Sequence, residues 1–118
     1  MAEGSELTRP IGTLNNFANL YLAQNDFNLA ELTYLRVLKI LRENANANPS
    51  IYLPLLATNL NNLGVVYKQQ NNPSKAESAY LESLKIRQNL STVEPAVYVP
   101  DVAMSLSNLR FCIGKQTT

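Results

Sequence analysis

Displaced by 46 residues, the sequence matches itself without a gap, and this internal period constrains the fold more than any other feature. Leu14-Asn15-Asn16 falls on Leu60-Asn61-Asn62, Tyr21 on Tyr67, Ala30-Glu31 on Ala76-Glu77, Tyr34-Leu35 on Tyr80-Leu81, and Leu38-Lys39-Ile40 on Leu84-Lys85-Ile86. The register survives the next connection, where Pro49, Tyr52, Pro54 and Ala57 fall on Pro95, Tyr98, Pro100 and Ala103. Leu60, Asn62 and Leu63 then recur as Leu106, Asn108 and Leu109. Across the 52 pairs from Leu14/Leu60 to Val65/Phe111 there are 20 identities. A duplicated structural unit follows.

Each unit reads as two helices. Ile11, Leu14, Phe17, Ala18 and Tyr21 recur at spacings of three and four, the period of one helical face. Asn25-Asp26 breaks the pattern, and Asn28 is the expected N-cap of the next helix. That helix carries Leu29, Leu32, Tyr34 or Leu35, Leu38 and Leu41 as its apolar stripe. The second unit repeats the scheme with Leu56, Leu60, Leu63, Val66 and Tyr67, a break at Asn71-Asn72, and Pro73 in the first turn of a helix bearing Ala76, Tyr80 and Leu84.

Proline restricts the residue before it, so Pro49 and Pro95 are expected outside helices, with Pro54 and Pro100 in the first turns that follow. A fifth helix carries Val102, Leu106, Leu109 and Ile113. The expected layout is all-α, A1-B1-A2-B2-A3. Residues 1–9 read as an N-terminal tail and 10–118 as one repeat domain, divided into 10–53, 54–99 and a terminal helix, 100–118.

These residues resemble the tetratricopeptide repeat, in which helix A carries a large residue, Leu-Gly and Tyr, and helix B carries Ala, an aromatic and a small residue. Leu60, Leu63-Gly64, Tyr67, Ala76, Tyr80 and Ser83 follow that pattern, as do Leu14, Phe17-Ala18, Tyr21, Ala30 and Tyr34. The Leu-Asn-Asn-Leu-Gly opening, preceded by Pro54–Ala57, is similar to the longer-period repeats of kinesin light chain. The resemblance spans about Pro10 to Gly114. It implies antiparallel helix pairs stacked into a short right-handed superhelical solenoid. Asn25 and Asn71 stand where the family usually has Gly at the A–B turn, and Asn tolerates the left-handed conformation. Arg110 replaces the small residue of helix A, which suggests a surface that no further helix covers tightly.

In the resembling family helix A lines the concave, ligand-binding side. The matching positions here are Asn15, Asn16 and Asn19 in the first unit, Asn61, Asn62, Val65, Lys68 and Gln69 in the second, and Ser107, Asn108 and Phe111 in the third. Side-chain amides both donate and accept, so a row of them can read the backbone of an extended peptide. Asn16, Asn62 and Asn108 share one register. Two uses stand side by side: peptide contact, or internal amide bonds that hold the repeat. Tyr21, Tyr34, Tyr67 and Tyr80 read as core, and Cys112 as a buried thiol.

Composition narrows the function. The chain of 118 residues has no His and one Cys, which removes His-based catalysis, the usual zinc and haem ligation, and an internal disulfide. Ten basic and nine acidic residues leave no charge excess for nucleic acid, and no apolar run reaches the roughly 18 residues of a membrane span. The 15 Asn are the conspicuous excess. The expectation is a non-enzymatic, cytoplasmic interaction module or scaffold that needs no cofactor or metal. It would bind another protein, as a peptide or a partner helix lying in the concave groove lined by helix A, with no nucleic-acid or membrane partner. The alternative is a structural or self-assembling unit, or a fragment of a longer array, that oligomerises through an exposed end face.

Overall fold

The computed structural model describes the backbone of residues 2–117 and the side chains of residues 11–112 and of Gly114. Five helices follow one another: α1 (Ala2–Ala23), α2 (Phe27–Ala47), α3 (Pro49–Gln69), α4 (Pro73–Val93) and α5 (Pro95–Thr117). Each packs antiparallel on the next, and the described residues contain no strand. The stack is a slab of 54 × 35 × 19 Å. Its two layers are tied by side chains that skip a helix. Asn108 Nδ2 on α5 donates to Asn61 Oδ1 on α3 at 2.9 Å, joining the odd-numbered helices. Arg42 Nη2 on α2 donates to Glu82 Oε1 on α4 at 2.9 Å, joining the even-numbered ones.

The turns within the units form as their sequence dictates. Asn25 and Asn71 have φ of 62° and 59°, the left-handed conformation that Asn adopts at modest cost. The residue after each caps the next helix: Asp26 accepts from the Leu29 N–H at 3.4 Å and Asn72 from the Lys75 N–H at 3.3 Å. Asn28, expected as the first cap, instead lies inside α2, because Asp26 is the residue in register with Asn72. Pro73 opens α4 as expected.

The prolines between units correct the sequence reading. Pro49 and Pro95 are the first residues of α3 and α5, while Pro54 and Pro100 lie inside those helices. A first-residue proline loses no hydrogen bond, and the interior one removes only a bond near the helix start. Tyr52 and Leu53, packed on the cluster of Val37, Leu41, Leu56 and Leu60, hold the first turn of α3 in place. Likewise α1 begins at Ala2 and takes in the stretch set apart above as a tail.

Three clusters make the core. Ala18, Ala30, Tyr34, Leu63, Val66 and Ala79 join α1 to α4; Val37, Leu41, Leu56 and Leu60 join α2 to α3; Ala76, Tyr80 and Cys112 join α4 to α5. Tyr34 and Tyr80 are fully buried, and Tyr21 and Tyr67 are half-buried. Three expected core stripes are corrected. Phe17 on α1, Leu29, Leu32 and Leu35 on α2, and Leu106 on α5 are exposed. The buried face of α2 is the neighbouring stripe Ala30, Tyr34, Val37 and Leu41, in which Ala30 permits close approach. Ile113, expected in the fifth helix's stripe, lies outside the described side chains.

Candidate functional site

Along α3, the residues that pack against the even layer are Leu56, Ala57, Asn59, Leu60, Leu63, Gly64 and Val66. At 100° per residue, Thr58, Asn61, Asn62, Val65, Lys68 and Gln69 fall on the opposite side. The same registers give Asn15, Asn16 and Asn19 on α1, and Met104, Ser107, Asn108 and Phe111 on α5. The fold thus assembles one face from three helices. Lys115, in the same register, lies outside the described side chains.

The structure sorts these residues by what they touch. Asn19 is a support: its side-chain oxygen accepts a close hydrogen bond from the Tyr34 hydroxyl. Asn61 and Asn108 bond each other across α3 and α5, and Asn61 is nearly buried, so this pair fixes the spacing of the two helices. The side chain of Asn62, Asn108's register mate, makes no hydrogen bond among the described residues, and neither does that of Asn16. Both present their amides at the surface, Asn16 exposed and Asn62 half-buried. Gln69 and Ser107 are also exposed, and Asn15 lines a recess of about 270 Å³ with Gly12 of α1, Leu55 and Thr58 of α3, and Val37 of α2.

The apolar anchor lies on α5. Phe111 is 56% exposed, and the Lys68 ammonium sits 5.0 Å from its ring centroid. A cation over an aromatic face is attracted by the ring quadrupole and holds the ring in place. Met104, two turns earlier on the same side, is exposed as well. Lys68 also borders a recess of about 250 Å³ with Asn71, Pro73 and Cys112. Lys68 is the one charged residue among the described members of this face. Chemically the face offers free amides, one ammonium and two apolar surfaces. Among the described residues no group of three His, Cys, Asp or Glu could hold a metal ion, and no helix is long and apolar enough to cross a membrane.

Beneath the face, sequence reasoning missed several polar contacts that set helix spacing. Asn59 Nδ2 donates to the Tyr34 carbonyl at 3.2 Å, Ser83 Oγ to the Ala57 carbonyl at 2.7 Å, and Arg87 Nη1 to Ser105 Oγ at 2.8 Å. Burial lowers the Arg87 pKa, and the Asp101 carboxylate works against that shift. Cys112 is buried as expected, its thiol donating to the Pro73 carbonyl at 3.2 Å. The available signal was that Asn59 and Ser105 fall 46 residues apart on otherwise apolar helix faces.

The sequence model of one family, the tetratricopeptide repeat, matches residues 11–48 and 56–91, in the form typical of kinesin light chain. Comparison with curated proteins gave no match.

Proposed function

Because the chain belongs to the tetratricopeptide-repeat family, whose repeats mediate protein–protein interaction, we propose that the face built by the odd-numbered helices receives an extended peptide segment of a partner protein. The observation that carries this reading is the exposed Phe111 ring, braced by Lys68 and set beside the Asn61–Asn108 bridge. Solvent-exposed aromatic surface that is held rigid loses little entropy on binding, which is what an anchor site needs. Met104 and Phe111 take an apolar side chain of the peptide. Asn16, Asn62, Gln69 and Ser107 bond its backbone, and Lys68 favours an acidic residue nearby.

Nothing in this arrangement supplies a reaction. The reading is a non-enzymatic recognition module, working without a cofactor. Arg110 supports peptide binding over end-to-end stacking at α5: it stands where Gly64 of α3 lets the Tyr80 ring approach.

The test uses a peptide selected from a random linear display library against the full chain. Phe111→Ala and Asn62→Ala are expected to weaken that peptide at least roughly ten-fold each, with the thermal melt unchanged. Unchanged affinity in both variants contradicts the assignment. Asn61 and Asn108 are avoided in this test, because breaking their mutual bond disturbs the fold as well as the site.

A further inference from the structure

The 46-residue period carries a template from α2, α3 and α4 to the outer face of α1 and α2. In the middle, α2 lies over α3 and α4. Leu35 and Leu38 of α2 meet Leu63, Tyr67, Lys75 and Ser78 around a surface groove, and Arg42 pairs with Glu82. Gln70 Nε2 reaches back to Glu31 of α2 at 3.0 Å. One period earlier the corresponding positions are Phe17, Tyr21, Leu29, Leu32 and Arg36, with Gln24 in place of Gln70.

No described element lies over these residues. Phe17 is 48% exposed, Leu20 49%, Leu29 42% and Leu32 64%. Phe17 and Tyr21 stack at 6.4 Å between centroids, which presents a firm aromatic floor. The polar Thr33 is no obstacle, since its hydroxyl donates to the Leu29 carbonyl at 2.7 Å. In the middle, the apolar residues beneath α2 are buried, Leu63 at 1% and Val66 at 0%; their counterparts Phe17 and Leu20 are apolar as well but stand open. Around the groove, the exposed Lys75 and Ser78 become Leu29 and Leu32, so the outer face of α1 and α2 carries more apolar surface than the one it repeats. A face left to water is expected to be more polar instead.

We propose that this face docks an amphipathic helix of a partner protein, laid as α2 lies on α3 and α4, with acidic residues at both ends of its apolar stripe. Charge selects the occupant. Arg36 stands where Glu82 accepts from Arg42, so the docked helix carries a carboxylate at the Arg42 position. Gln24 repeats Gln70, so an acceptor at the Glu31 position completes the other end. The pattern is acidic at i and i+11, with apolar residues at i+4 and i+7. This surface lies apart from the Phe111 face and the inference does not depend on that reading.

The chain's own α2 provides the probe. A lactam-stapled peptide of residues 27–48 carrying Arg42→Glu keeps Glu31 and gains the second acid. In fluorescence anisotropy it binds the full chain, and the same peptide with Arg42 binds about five-fold more weakly. Arg36→Glu in the protein reverses that order. Leu32→Asp, at an exposed position, abolishes binding of both while helicity and melting are retained. The proposal is overturned if the Arg42 peptide binds the unaltered chain as well or better, which would mark insertion beside Glu82, or if no peptide binds. A dimer in sedimentation that Leu32→Asp splits overturns it too, since the face would then belong to a second copy. Peptides selected for the Phe111 face bind the Leu32→Asp chain unchanged, so the two readings fail separately.

Discussion

Tyr34 and Tyr80 occupy one register a repeat apart, both fully buried, and only the first has a partner for its hydroxyl. The difference traces to one position: the first unit has Asn19 where the second has Val65. The neighbouring position differs as well. Ala18 lies in the core with Tyr34, whereas Gly64 lets the Tyr80 ring come so close that an added Cβ would stand 2.5 Å from Cε1. The junction to the next helix follows suit. Unit one closes on α3 with Val37 and Leu41, beside the bond from Asn59 Nδ2 to the Tyr34 carbonyl. At the Leu41 position unit two has Arg87, which bonds Ser105 of α5, and at the Val37 position Ser83, which bonds back to Ala57 of α3. One backbone plan thus holds with a mainly apolar joint or a more polar one, and the more polar joint sits under the candidate binding face.

Substitutions that convert one unit into the other probe this contrast. The largest effect is expected from Gly64→Ala, which drives a methyl into the buried Tyr80 ring and costs about 2–3 kcal/mol in urea unfolding. The reciprocal Ala18→Gly costs about 1 kcal/mol, the ordinary penalty of helical glycine. Equal losses would show that the close packing of Tyr80 has no energetic consequence.

Next come the hydroxyls. Asn19→Val leaves the Tyr34 hydroxyl unsatisfied and is expected to cost about 1–2 kcal/mol. Tyr34→Phe costs about 1 kcal/mol, whereas Tyr80→Phe is neutral or stabilising because it removes a buried group with no hydrogen-bond partner. Thermal melts of the two Phe variants side by side settle the matter; a larger loss for Tyr80→Phe contradicts the assignment.

The same burial shows in alkali. Burial, with a smaller contribution from Cys112, pushes the Tyr80 pKa from 10.0 up to about 12. Below pH 10 both folded and unfolded chains hold the proton, and the stabilisation is complete. Between pH 10 and about 12 the unfolded chain ionises first, so stability falls as pH rises. Denaturant midpoints measured across that window are expected to drop less steeply in Tyr80→Phe. The smallest effect belongs to Arg42→Ala, which breaks the exposed pair with Glu82 and costs under about 1 kcal/mol.

Much of the fold was legible. The period, the five helices, the left-handed Asn25 and Asn71 and the opening Pro73 all follow from residue type and spacing. Where helices start was less so, because Pro49 and Pro54 both suit a first turn and only packing by Tyr52 and Leu53 decides between them. The stripes of α2 were ambiguous for a similar reason. Leu29-Leu32-Leu35 and Ala30-Tyr34-Val37 both keep helical spacing, and hydrophobicity favours the wrong one. In the candidate face, the three-helix row of amides and Phe111 was readable from register. That Asn19 and Asn61 are engaged internally, while Asn62 is not, depends on which side chains the partner helices bring within reach.

The most direct measurement is an amide chemical-shift map of the full chain titrated with its library-selected peptide. The account predicts shifts concentrated on α3 from Asn62 to Gln69 and on α5 from Met104 to Phe111, with the outer surfaces of α2 and α4 unmoved. Shifts confined to the even-numbered helices, with Phe111 unaffected, would contradict it.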